Sequence, residues 1–527
     1  MTSAFRVLVL RLRAAPPRSG EHWLTRFVFL RLLGLVYFFA FLSLANQVLP
    51  LIGSRGLLPA RIYLEAVREG GVSPWQELPT LFWFSHSDAN LQAGAWIGVG
   101  LSLLLLAGLA NALLLAALWA LYLSFVHVGQ VWYGYGWEIQ LLETGFLAIF
   151  LCPLLDPRPF PRLPPPFPVL LCLRWLIVRI MLGAGLIKIR GDSCWRDLTC
   201  LLYHYETQPI PNPLSRLLHF LPPWIHRLEC LGNHLVELVA PAFAFGPAAA
   251  RRIAGLLFVA FQLFLILSGN LSFLNYLTIA PALACLDDGV WRRILPRRLV
   301  AAADRAREIA RPSKAHRVAA LLLAGLVAVL SFWPVRNLLS SRQMMNTSFN
   351  ALHLVNTYGA FGSVGRERSE IVLEGTDEEA IGPDSRWRAY EFKAKPGDPE
   401  RALPVVAPYH YRVDWQVWFA AMSTPGRHAW LVHLVWKLLH NDRGALSLLA
   451  NDPFPDAPPR FIRAELYRYK FTRPFRGGPY WERARIGSWL PPMSTDDPRI
   501  REFLGARGLL EDANEKEIGP NEPRGPR

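Results

Sequence analysis

The stretch MLGAGLIKIRGDSCWRDLTCLLYHYETQPIPNP, residues 181–213, ends an apolar run at Lys188 and then turns dense in charge, aromatics and turn formers. Nowhere else in the chain are so many chemically able side chains packed into so short a span. The run that leads into it, 169–187, is long and apolar enough to read as a membrane-spanning helix. Arg174 and Arg179 fall within that run, and charge at that depth implies a bundle interior or a water-filled cavity. The fold therefore turns on how many such runs there are, and on which side of a membrane residues 181–213 emerge.

The composition supports a membrane reading: of 527 residues 52% are hydrophobic and 18% charged, with 19 Trp and 30 Phe. The formal net charge of +15 does not point to nucleic acid, because Arg and Lys gather in short loops between apolar runs, with no recognition module beside them. Working outward, the pattern predicts a polytopic α-helical membrane protein of about nine spans: 27–49, 93–110, 112–128, 139–155, 169–187, 235–245, 253–267, 271–286 and 318–333. Asn111 marks a very tight turn between the second and third, and 129–140 (GQVWYGYGWEIQ) is an aromatic, glycine-rich re-entry. The sixth, with Glu237 and Pro241, is the weakest. The loop 287–317 carries nine Arg or Lys against four Asp or Glu, the strongest cytosolic signal in the sequence. Nine crossings from a cytosolic N-terminal segment (1–26) keep every basic short loop inside. They place 181–213, and everything after Pro334, outside.

Within this transmembrane helical domain (27–334), Glu143 lies inside an apolar run and is a candidate functional group for that reason. Lys188, at the outer interface, can snorkel as an anchor, or can be desolvated into a general base. Asp192, Asp197 and Glu206 are near enough in sequence to pair with Lys188, Arg190 or Arg196. Neither a Walker loop nor a dinucleotide fingerprint, HExxH or GxSxG is present, and the adjacent His204, Tyr205 and Glu206 have no metal-ligand spacing, so no metal is expected. The six cysteines all precede residue 286. Cys194 and Cys200 would lie outside the cytosol, where a bridge is permitted. On a continuous helix they would sit about 9 Å apart by rise, too far to pair; in a loop they can meet, and Cys230 is a third candidate.

From 346 to 480 the pattern changes to that of a mainly-β, sandwich-like extracytoplasmic domain with helical additions. Residues 370–374, 388–395, 409–413 and 461–471 read as strands, and 430–449 as helix. The charged, Pro/Gly-rich end, 511–527, reads as disordered.

Four stretches together resemble the lipase maturation factor family: 183–213 (GAGLIKIRGDSCWRDLTCLLYHYETQPIPNP), 356–375 (NTYGAFGSVGRERSEIVLEG), 407–422 (APYHYRVDWQVWFAAM) and 463–472 (RAELYRYKFT). The likeness extends from about residue 26 to 472. The signature residues it marks are Asp192, Trp195, Arg196, Asp197, His204, Tyr205, Glu206 and Gln208 in the first stretch, and Asn356, Tyr358, Gly359 and Arg366 in the second. In the third they are Tyr409, Arg412, Asp414, Trp415 and Trp418, and in the fourth Tyr467 and Tyr469. The resemblance implies a membrane-bound folding factor of the endoplasmic reticulum that assists secreted clients such as lipases, with its signature regions outside the cytosol. The Arg-rich, Lys-poor composition would also suit a bacterial member in the cytoplasmic membrane.

More distantly, the membrane half resembles the transmembrane module of vitamin K-dependent γ-carboxylases, through Gly185, Leu186, Lys188 and Trp195. That likeness implies a catalytic base at Lys188, with Glu143 or His127 in the same cavity and a lipid-like cofactor. Two hypotheses follow: a non-enzymatic maturation factor without a cofactor, whose partners are membrane lipid and a secreted client, and an integral-membrane enzyme. A transporter is weaker, since no inverted repeat or pair of broken helices is evident.

Overall fold

The computed structural model describes residues 21–510 apart from 72 and 476; the expectations for 1–20 and for the tail 511–527 lie outside the described residues. Among the described residues five helices are long and apolar enough to cross a membrane: α1 (Trp23–Ala45), α2 (Asp88–Ala107), α5 (Phe167–Gly191), α7 (Ala248–Ser268) and the run Lys314–Leu339, whose first part is α9 (Lys314–Leu330). Between them stand the shorter α3 (Ala112–Val128), α4 (Gly136–Ile149), α6 (Pro223–His234) and α8 (Leu274–Ala282). The tight turn expected at Asn111 is there: Gly108 (φ +118°) ends α2, and the Asn111 side chain caps α3 by accepting from Leu114 N at 2.9 Å. α6 does not stop at a loop. It runs into a π turn (Leu235–Val239) and a 3₁₀ turn (Ala240–Phe243), with Pro241 closing the sequence.

The C-terminal domain holds one antiparallel sheet, ordered β2-β1-β3-β4, of β1 (Arg368–Thr376), β2 (Arg388–Tyr390), β3 (Phe461–Phe471) and β4 (Trp481–Met493). β1 and β3 pair from Arg368 opposite Tyr469 to Thr376 opposite Phe461. A sandwich is not what forms. Among the described residues no second sheet faces this one; α10 (Arg412–Ala420) packs on β1 and α11 (Ala429–Leu439) on β3.

The expected strand 409–413 is likewise a turn leading into α10. Val413, Val417 and Ala420 recur at helical spacing and are all buried, a period that outweighs the β-branched and aromatic content of the segment. The strand expected over 388–395 ends at Tyr390, and the helix expected over 430–449 divides into α11 and a short turn, Arg443–Ser447. One continuous apolar core joins the helical half to this domain, reaching from Leu24 and Phe41 to Val417, Leu434 and Ile462.

Candidate functional site

α5 ends where the polar stretch begins, and its last turns decide what surrounds Lys188. Gly183 faces the backbone oxygen of Tyr358, and Gly191 faces that of Gly362. A side chain at either position would collide with main chain, so these glycines let 358–362 lie directly on α5. Beyond Gly191, Asp192 caps the single turn Ser193–Arg196 by accepting from Cys194 N at 3.0 Å. Leu198 then takes a left-handed conformation (φ +59°), folding the chain back so that Cys194 and Cys200 are bridged, their Cα atoms 4.8 Å apart. Of the two possibilities open for CWRDLTC, the loop is the one realised. Cys230 remains a free, buried thiol beside the bridge, in a small cluster with Trp195, Leu201, Tyr205 and Val364.

Lys188 is buried at 4% exposure. Its Nζ donates to Glu237 Oε1 at 2.5 Å and to Asn233 Oδ1 at 3.1 Å, and lies 5.0 Å from the Trp195 ring centroid. Asn233 Nδ2 closes the group by donating to Glu237 Oε2 at 2.9 Å. Trp195 is held by its indole N–H on Phe361 O, 2.9 Å away. The ammonium is thus one member of a buried, hydrogen-bonded ion pair with an aromatic face against it.

This cluster forms part of the wall of a cavity of about 730 Å³ between the helical half and the C-terminal domain. His204, Tyr205, Gln208, Tyr358, Gly359, Trp415 and Trp418 also line it. His204 stacks edge-on against Phe361, and burial, with Lys188 nearby, lowers its pKa to about 4.

Glu143 does not line the cavity. It pairs with Arg179, accepts from Asn356 N at 3.0 Å and Nδ2 at 3.1 Å, and accepts from the Tyr358 hydroxyl at 2.7 Å. Arg179 also donates to Asn356 O at 2.6 Å. Glu143 is therefore the anchor by which 356–358 is held on the bundle. Arg174 donates to Ala284 O at 2.8 Å, and the His127 ring contacts Ala351 O at 2.9 Å, away from the cavity.

A second anchor lies at the re-entry 129–140. Arg412 donates to Trp132 O and to Glu138 Oε1 (2.9 Å), with its guanidinium 3.6 Å from the Tyr133 ring centroid. Trp415 stands edge-on to Trp137, and Trp418 donates to Thr207 O at 3.1 Å. Asp414 accepts from Ala394 N at 2.5 Å and Lys395 N at 3.1 Å, and burial pushes its carboxyl up to about 6. The Tyr409 hydroxyl accepts from Asn46 at 3.3 Å, while Tyr469 donates to Gly397 O at 2.6 Å and Tyr467 packs under Arg483. Arg366 reaches Asp192 at 3.2 Å, Glu206 accepts from Phe471 N at 2.7 Å, and Gln208 donates to Ser268 O at 3.0 Å. Arg196 donates to Ile189 O at 2.6 Å and, like Asp197, is exposed.

Sequence reasoning passed over Asn233, Gln262, Asn275, Arg368 and Lys395, and did not join Glu237 to Lys188. Arg368 is fully buried; it donates to the carbonyls of Glu206 (2.7 Å), Gln208 (2.5 Å) and Pro209 (3.0 Å) and pairs with Glu370, which also holds Lys395. A signal for the Lys188 cluster was present: Asn233 and Glu237, four apart, share a helix face.

Comparison with known proteins places both halves. Residues 24–293 match the family model described as the lipase maturation factor transmembrane domain, and 354–491 the lipase maturation factor C-terminal domain. The chain is 52% identical to lipase maturation factor 1 of Bos taurus over 93% of its own length and 92% of the relative's. It is 50% identical to that of Homo sapiens (93% and 91%), and 30% identical to lipase maturation factor 2 of Homo sapiens (93% and 85%). No solved structure matches. The chain belongs to the lipase maturation factor family and is an integral membrane protein with a C-terminal domain.

Proposed function

From that membership we propose that the chain is a membrane-bound maturation factor that assists the folding or assembly of secreted lipases. The observation that carries this reading is the extent of the likeness: half-identity to lipase maturation factor 1 runs through both the membrane half and the C-terminal domain. The geometry is in keeping with it. The signature residues serve mostly to lock the two halves together, Asn356 and Tyr358 by holding Glu143 and Arg412 by holding Glu138. That builds a scaffold with a fixed surface rather than a set of free catalytic groups.

The membrane is that of the endoplasmic reticulum, a reading favoured by the mammalian relatives. The chain crosses it about nine times from a cytosolic N-terminus, and the C-terminal domain is extracytoplasmic. The Cys194–Cys200 bridge supports that side for residues 181–213, because such bonds persist in oxidising compartments.

In cells lacking the chain, secreted lipase is expected to lose activity per mass of enzyme, and re-expression to restore it. Unchanged specific activity would overturn the reading. For topology, a glycosylation sequon placed at 379–384 should be modified and one at 309–312 should not; the reverse pattern defeats the nine-span arrangement.

A further inference from the structure

Three polar side chains on the cavity wall have no hydrogen-bond partner among the described residues. Gln262 on α7 is 4% exposed, Asn275 on α8 is 2% exposed, and His204 is 9% exposed and makes only ring contacts. Two of them sit on helices of the membrane half. An amide without a partner in apolar surroundings is strongly disfavoured, so a site of this kind expects an occupant that can both donate and accept. The rest of the wall is largely apolar and aromatic. Phe264 on α7, Phe419 on α10 and Met422 just beyond it line the cavity and also reach the surface (37%, 39% and 59% exposed), which puts the mouth against a lipid-facing helix. A volume of about 730 Å³ is in the range of small-molecule sites.

Charge limits the occupant further. The cations on the wall are already engaged, Lys188 by Glu237 and Asn233, and Arg368 by the carbonyls of Glu206, Gln208 and Pro209 and by Glu370, which it shares with Lys395. Glu229 also lines the cavity, and Glu367 lines it paired with Arg468, so the wall and its partners carry no surplus of positive charge. An anionic phosphate head finds no free counter-charge here, whereas a hydroxyl or ester carbonyl finds two amides and an imidazole.

We propose that this cavity holds one uncharged membrane lipid of the acylglycerol class, its hydroxyl and ester head bound by Gln262, Asn275 and His204 and its chains leaving past Phe264. The inference is independent of any action on a lipase, and its test uses none.

The intact chain, purified in mild detergent, is extracted and its lipids quantified by mass spectrometry. About one neutral acylglycerol per chain is expected, falling roughly tenfold in Gln262→Leu/Asn275→Leu while co-purifying phospholipid is unchanged. Equal retention in the variant, phospholipid alone, or no lipid (a water-filled cavity) overturns the proposal. Retention of the Cys194–Cys200 bridge checks that the variant is folded. Should it not fold, the wild-type chain is labelled with a photoactivatable diacylglycerol. Adducts on peptides of α7 and α8 that excess diacylglycerol displaces support the site, and labelling elsewhere sinks it.

Discussion

At Lys188 two roles compete for one ammonium, and its neighbours separate them. Removing the lysine alone leaves Glu237 charged and buried beside Asn233, a loss of about 3–5 kcal/mol when one partner of a buried pair is deleted. Lys188→Met should therefore lower the unfolding temperature sharply, and Lys188→Met with Glu237→Gln should recover most of it. If the double variant also sustains secretion of active lipase, the pair is structural; normal stability with lost activity would instead return the lysine to base chemistry. His204 offers a test in pH. Its folded pKa, about 4, lies below the ordinary 6.5 because burial disfavours the imidazolium, so the unfolded chain binds a proton that the folded one refuses. That stability is complete above about 6.5 and drains away as pH falls towards 4. The unfolding temperature in detergent should drop between pH 7 and 5, with a shallower drop in His204→Phe; identical slopes would remove His204 from the account. Lys188 was legible as a residue of interest because it ends an apolar run. Its partners were not, since they lie 45 and 49 residues further on and meet it only when α6 folds beside α5.

Among the elements, α5 bears the most constraint, because it touches the bundle, the cavity and the C-terminal domain at once. Gly183 lies against the carbonyl of Tyr358, a main-chain neighbour that cannot rotate aside. Gly183→Leu should push 358–362 off the helix, at about 1–3 kcal/mol for overpacking, and loosen Asn356 and Tyr358 from Glu143. Gly232, where an added side chain meets open space, is the control: Gly232→Ala should leave stability intact or raise it. Limited proteolysis between residues 340 and 356 reads the difference, and equal resistance of the two variants would refute the close-contact argument. Apolar length made the five long helices visible, and the Phe461–Phe471 strand was read to its ends because aromatic and basic residues alternate from Tyr467 to Phe471. The sheet's surroundings were not visible. α10 is rich in aromatic and β-branched residues, so local propensity spoke for a strand while Val413, Val417 and Ala420 spoke for a helix, and packing on β1 decided between them.

For the molecule as a whole, the central fact is that one apolar core and two buried ionic anchors run through both halves. The motifs at 356–358 and 412–418 could be read one by one, but nothing in their spacing told that their polar groups are answered from residues near 138, 143 and 179. The consequence is that the C-terminal domain should not be an independent folding unit, although its sheet and two packed helices look self-sufficient. Expressed alone, residues 346–510 would leave Arg412 without Glu138 and Trp132 O, and Asn356 and Tyr358 without Glu143. An orphaned buried charge costs about 3–5 kcal/mol, and the apolar face normally covered by the helical half would be opened to water as well. Against a typical domain stability of about 5–15 kcal/mol, those losses are enough to abolish a cooperative fold. The fragment is expected to show no sharp urea transition and no fixed near-ultraviolet aromatic signal. Co-expressed in the same membrane with residues 1–345, it should regain both and co-purify with its other half. Arg412→Met should break that reassembly, whereas exposed Arg499→Met, far from either anchor, should not. A sharp, reversible transition in the isolated fragment would mean that the two halves are merely adjacent, and that the signature motifs serve something other than their union.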